Sequence, residues 1–225
     1  LTLTIPENTT LKVNHDYGNM EVSNLITTMC DLNADASNVK ISNITAPLNV
    51  HVDYGNVQLD KTVGNLNLNL GSCNVICGNQ NGDVNIKSNN CNLSMGGVTG
   101  NITGDVESGT NSFLDITGNI KFNAGYSNIK MINVKGDLNM NANSGNIIGE
   151  KIEIVSTADF NTEYGNVDID FVNDVSKMSF ELKTTYGNIK LNDGVNSRNA
   201  QSDLIIERGG IKISSVTNSG NIIIK

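Results

Sequence analysis

The sequence has no tryptophan, two prolines and only two arginines among 225 residues. Aromatic residues make up 4% of the chain, so the interior must be filled mainly by aliphatic side chains. Helix formers are sparse while Asn, Gly, Ile and Val dominate, which excludes a helical bundle or coiled coil. No stretch approaches the roughly 18 consecutive apolar residues of a membrane-spanning helix. Leu1 to Asn8 has neither the basic nor the apolar region of a secretory leader. Lys and Arg number 15 against 23 Asp and Glu, a net charge of −8. Without clustered basic residues, nucleic acid is not an expected partner. A hydrophobic fraction of 38%, with 22 glycines in addition, is close to the globular norm and sufficient for a core. The expectation is one domain over residues 1–225, since all-β domains of this length are common.

What the chain has in abundance is a repeated phrase: an aromatic or small residue, then Gly, Asn or Asp, apolar, any, apolar. It reads Tyr17-Gly18-Asn19-Met20-Glu21-Val22 and returns as Tyr54-Gly55-Asn56-Val57-Gln58-Leu59, with later copies beginning at Ser144, Tyr164, Tyr186 and Ser219. A second series interleaves with the first: Gly64, Gly82, Gly100, Gly118 and Gly136, spaced by 18 and each followed by Asn or Asp and an apolar residue. The unit is therefore a coil of about 18 residues in two similar halves. Within each half the apolar residues alternate, as in Leu66, Leu68 and Leu70 between asparagines. Period-two alternation marks strands with one buried face, and Gly-Asn and Gly-Asp mark the corners. A meander would not need one constant spacing; a solenoid does, because equivalent positions stack about 4.8 Å apart. The reading is an all-β, single-stranded parallel β-helix of about twelve coils of roughly 18–22 residues. Its expected hand is right, as for parallel crossovers generally. The wider intervals beyond about residue 146 place longer strands or bulging loops at 149–162, 173–183 and 193–203.

Aligning the first series gives a corner of small residues: Gly18, Ser37, Gly55, Cys73, Cys91, Ser112, Ser127, Gly145, Gly165 and Gly187. Ser and Cys replace Gly poorly where φ must be positive, so the expected cause is crowding. The next position is mostly Asn, and stacked amides can hydrogen-bond along the axis. Cys73 and Cys91 fall in successive coils, near the Cα separation of a disulfide, but in-register side chains point the same way. With Cys30 and Cys77 they read as free, buried small hydrophobes. His15 continues an inward row and His51 an outward one, so no Ser/His/Asp arrangement forms. Asp168 and Asp170 share one strand face and read as solvated. Gly-rich nonapeptides bind calcium in another solenoid, but here only Asp83, Asp105 and Asp137, assigned to the second series, supply Gly-Asp. No metal, cofactor or catalytic group is expected.

All five tyrosines precede the small residue of the first series. They either cover the stack mechanically or form an aromatic stripe for a ligand. The candidate binding surface comprises Tyr126, Tyr164 and Tyr186, with Tyr164 and Tyr186 read as consecutive in the stack, together with an outward amide row containing Asn67, Asn85 and Asn139. The Tyr-Gly-Asn-apolar-x-apolar phrase resembles the bacterial adhesin-type β-solenoid domains of unknown function, and is similar in style to the head domain of autotransporter adhesins. That resemblance covers essentially the whole chain. It implies an exported, envelope or cell-surface protein without established catalytic residues. The function expected is a non-enzymatic interaction module taking a glycan or a cell-surface protein. The alternatives are a carbohydrate-active enzyme on a β-helix and a passive spacer.

Overall fold

Alternation sets the strands, and stacking sets their register. In β4 (Leu66–Asn81), Leu66, Leu68 and Leu70 turn inward and are buried, while Asn67 and Asn69 face solvent. The computed structural model describes residues 4–192 and 197–225, which form an all-β parallel solenoid. β1 (Thr10–Ile26), β2 (Met29–Thr45), β3 (Leu48–Val63) and β4 each make one layer and pair in parallel with the next. The following layers are β5 (Val84–Asn90) with β6 (Asn92–Thr99), then β7 (Ile102–Thr117), then β8 (Ile120–Lys135). β9 (Leu138–Ser144) with β10 (Ile147–Glu153), and β11 (Thr157–Tyr164) with β12 (Val167–Phe171), continue the stack. One aliphatic core runs through the layers, with Phe113, Phe122, Phe160 and Phe180 as its large rings.

The coils from β1 to β10 turn at three corners, one more than the two halves of the repeat suggest. The third lies at Asn24, Asn43, Lys61, Asn79, Asp115, Asn133 and Lys151, each with φ of 53–56°, and at Gly97 with φ of 63°. Asn and Asp tolerate this left-handed conformation because their short polar side chains hydrogen-bond locally. The small-residue corner is crowded, as expected: a Cβ on Gly145 would stand 1.9 Å from the Ser127 carbonyl oxygen. Conformation also contributes, since Gly55 has φ of +141°. One member of that corner differs from the sequence alignment. Gly109 stacks on Ser127, while Ser112 pairs with Lys130. The expected amide ladder forms, with Asn38 Nδ2 donating to Asn19 Oδ1 at 3.0 Å and Asn56 Nδ2 to Asn38 Oδ1 at 2.8 Å.

About nine turns follow one another in chain order as far as Phe171, against the twelve expected, and two further layers are stacked out of order beyond it. The difference lies beyond Phe171. Residues 173–178 hold a 3-10 helix at Val175–Lys177, capped by the Asp174 side chain, before β13 (Ser179–Tyr186) and β14 (Ile189–Asn192). β15 (Ser197–Ala200) and β16 (Asp203–Ile206) then run antiparallel to β14 and β13. The expected irregularity at 149–162 appears as a register shift between Gly149 and Ile152. That at 173–183 is the helix, and of 193–203 the part 193–196 lies outside the described residues. Finally β17 (Lys212–Ser219) and β18 (Ile222–Ile224) slot between two earlier layers. β17 pairs in parallel with β11 on one side and β13 on the other, and β18 likewise with β12 and β14. The amide ladder follows this spatial order, from Asn166 through Asn221 to Asn188.

Candidate functional site

The inserted C-terminal layer reorders the tyrosine corner. Tyr164 is in register with Ser144 and Ser219, and Ser219 in turn with Tyr186. Tyr164 and Tyr186 are therefore two layers apart rather than consecutive, because β17 lies between their strands. The full corner reads, in stack order, Tyr17, Ala36, Tyr54, Ser72, Asn90, Ser108, Tyr126, Ser144, Tyr164, Ser219, Tyr186. Every tyrosine occupies an odd layer, and every even layer carries Ala or Ser. Tyr126, Tyr164 and Tyr186 are 71%, 55% and 75% exposed, so their rings cover little of the stack and face solvent.

Beside this corner lies an open groove of about 1000 Å³, running across the layers of β5, β7, β8, β9, β11 and β17. Its floor is set by small inward residues, notably Ala124 and Ala142. One wall is the outward row Lys87, Asp105, Asn123, Asn141, Asn161; the other includes Asn89, Glu107, Gly125, Asn143 and Glu163. The first wall is ordered by its own ladder. Asn123 Nδ2 donates to Asp105 Oδ1 at 2.6 Å, Asn141 Nδ2 to Asn123 Oδ1 at 3.0 Å, and Asn161 Nδ2 to Asn141 Oδ1 at 3.1 Å. Tyr126 and Tyr164 directly follow two lining residues of the second wall, Gly125 and Glu163.

The amide row expected to share in the site is elsewhere. Asn67 and Asn85 are neighbours beside a depression of about 430 Å³, and Asn139 lines a separate one of about 240 Å³. Thr103 and Lys121 come between Asn85 and Asn139 in the row. The structure thus brings Tyr126 and Tyr164 beside a groove whose walls include Asn123, Asn141, Asn161, Glu107 and Glu163, not Asn67, Asn85 and Asn139. The signal that could have found those wall residues is the lie of small inward residues beneath two polar rows.

The acids, histidines and cysteines singled out in the sequence take part in the packing and hydrogen bonding of the coils. The Gly-Asp carboxylates accept hydrogen bonds from neighbouring coils: Asp83 from the Asn101 amide at 2.8 Å, and Asp137 from the Ser156 amide at 2.7 Å. Asp105 sits within β7 rather than at a second-series corner. Asp168 pairs with Lys225 at 2.7 Å. His15 is stacked beside Ala34 and His51 beside Asn33 and Asn69, on different faces, with His51 reaching Asp53 at 3.3 Å. All four cysteines are free and buried. Burial pushes the Cys77 thiol up to about 12 and, with the nearby Asp31 charge, Cys30 to about 11. Cys73 is raised, first by its hydrogen bond with Cys91 and then by burial. Among the described residues no three His, Cys, Asp or Glu side chains converge as a metal site would require, and no helix is long and apolar enough to cross a membrane.

The Toastrack DUF4097 family model matches residues 1–225. The chain belongs to that family. No curated protein and no solved structure matches it. The match spans the full length of this Toastrack chain and names no activity.

Proposed function

We propose that this Toastrack domain is a non-enzymatic interaction module of the cell envelope or surface, which holds an extended polymer, a glycan or a protein segment, along its axis. The supporting observation is the groove itself. It crosses six layers, a run of about 24 Å at ~4.8 Å per layer, with amides on one wall and exposed tyrosines beside the other. Groups repeated at this spacing let individually weak contacts add through multivalency. The amides offer donors and acceptors without a net charge to desolvate. Their mutual hydrogen bonds fix them before a ligand arrives, which reduces the ordering cost of binding.

One observation favours an enzyme as the second reading. Asp105 and Glu107 stand two residues apart on β7, on opposite walls, and glycoside hydrolysis uses two carboxyls across the scissile bond. Against it, Asp105 is engaged by Asn123. A glycan array and a panel of extended peptides, probed with the whole domain, test the proposal. Binding without turnover, lost in Asn141→Lys with the β circular dichroism retained, is the expected result. Ligand cleavage abolished by Asp105→Asn or Glu107→Gln supports the enzyme instead, and no binder of either class leaves the spacer.

A further inference from the structure

We infer that the tyrosine corner is a docking strip for a proline-rich, basic protein segment in the polyproline II conformation. This rests on the reading of the domain as an axial polymer binder and names the polymer. The argument begins with spacing. Tyr126, Tyr164 and Tyr186 recur every second layer because Ser144 and Ser219 occupy the layers between them. Two layers span about 9.6 Å. A polyproline II helix has three residues per turn at about 3.1 Å each, so it presents the same face every ~9.3 Å. Over two repeats the mismatch accumulates to only about 0.6 Å. An extended β-strand shows the same face every ~6.8 Å and falls out of step at once.

Shape and charge agree with spacing. The three rings are exposed, and each serine between them leaves a notch with aromatic sides. Proline-rich segments dock on aromatic-lined surfaces because their conformation is already set and little entropy is lost. Tyrosine adds a hydroxyl that can donate to the peptide carbonyls, which a polyproline II helix leaves without internal partners. Acids accompany the strip: Glu163 directly precedes Tyr164, and Glu107 lies in the same outward row one layer before Tyr126. A partner with Lys or Arg between its prolines complements this rim, and the chain's net charge of −8 favours its approach.

The test uses the whole domain and a fluorescent peptide of four Pro-Pro-Lys triplets, with a control in which every proline is glycine. The proline peptide is expected to bind, more weakly as salt rises, and the glycine control to bind at least fivefold more weakly. Tyr164→Ala should weaken binding about five- to tenfold, in line with one aromatic contact. Ser144→Tyr, which fills a notch without removing a ring, should weaken it as well. Both variants should keep the β circular dichroism of the parent. Equal binding of the glycine control, or a silent Tyr164→Ala, would overturn the docking strip. Binding of chitohexaose without binding of the peptide would also overturn it, while leaving the polymer-binding module intact. Failure of both probes overturns the two together.

Discussion

Gly145→Ala adds one methyl group at the most crowded corner of the stack. The new Cβ would lie 1.9 Å from the Ser127 carbonyl oxygen and 2.5 Å from its carbon, both backbone atoms of the preceding layer. Contacts under 3.0 Å are essentially never seen for a real Cβ, so two layers must separate locally by about an ångström. That displacement strains the bonds around the corner, where the Gly145 amide donates to the Tyr164 carbonyl at 3.0 Å and the Asn146 amide to Asn128 Oδ1 at 2.9 Å. Overpacking costs about 1–3 kcal/mol and each compromised hydrogen bond about 1, giving roughly 3–5 kcal/mol in all. Gly78→Ala is the matched control: its Cβ would meet nothing closer than Asp60 Oδ1 at 3.6 Å, and the change should stay within about 1 kcal/mol of neutral. Urea unfolding followed by circular dichroism measures both, and amide exchange around 127–165 locates the damage. Equal stability of the two variants would refute the stacking register at this corner.

Other consequences follow from the same packing. Ser37 and Ser127 bury hydroxyls that have no protein partner, so Ser37→Ala and Ser127→Ala should be neutral or stabilising by up to about 1 kcal/mol in thermal melts. Burial raises Cys77 from 9.0 to about 12; a thiol held protonated in the fold lends stability that is complete below pH 9 and lost as pH rises toward 12. Denaturation midpoints should fall across that window, and less steeply in Cys77→Val. Deleting residues 212–225 removes the layer shared by β11–β12 and β13–β14, so amide protection should collapse beyond residue 157 while β1–β7 keep theirs, as expected of a stack with nearest-neighbour contacts.

The fold was legible where chain order and spatial order coincide. A constant 18-residue step with inward Leu66, Leu68 and Leu70 admits few structures other than a parallel stack, and the asparagine ladder follows from that register. The alignment slipped at one coil because Gly109 is flanked by Ser108 and Thr110, which carry neither the Tyr nor the Asn of the phrase. The third corner is not legible in the sequence because Asn24, Asn43, Asn79 and Asn133 look like ordinary outward residues; only their fixed spacing marks a left-handed turn. The swap at the C terminus has no periodic signature. Both Tyr186-Gly187-Asn188 and Ser219-Gly220-Asn221 fit the next available position, and the choice depends on the antiparallel β15–β16 segment occupying the end of the stack. For the same reason the tyrosines were recognisable as a set, while their alternation with serine was not. The groove escaped because its residues belong to strands as far apart in sequence as β5 and β17, and because its depth comes from the small side chains beneath it.

The order of layers at the C-terminal end underlies both the tyrosine spacing and the groove, and disulfide trapping in a background lacking the native cysteines measures it directly. In-register neighbours have Cα atoms about 4.8 Å apart, within the range a disulfide spans, and at this exposed corner thiols are free to rotate toward each other, as the buried Cys73 and Cys91 are not; a two-layer separation of about 9.6 Å is beyond that range. Oxidation of Tyr164→Cys with Ser219→Cys, and of Ser219→Cys with Tyr186→Cys, should give intramolecular cross-links. The pair Tyr164→Cys with Tyr186→Cys should give none, and efficient cross-linking of that pair would contradict the inserted layer and the two-layer spacing that depends on it.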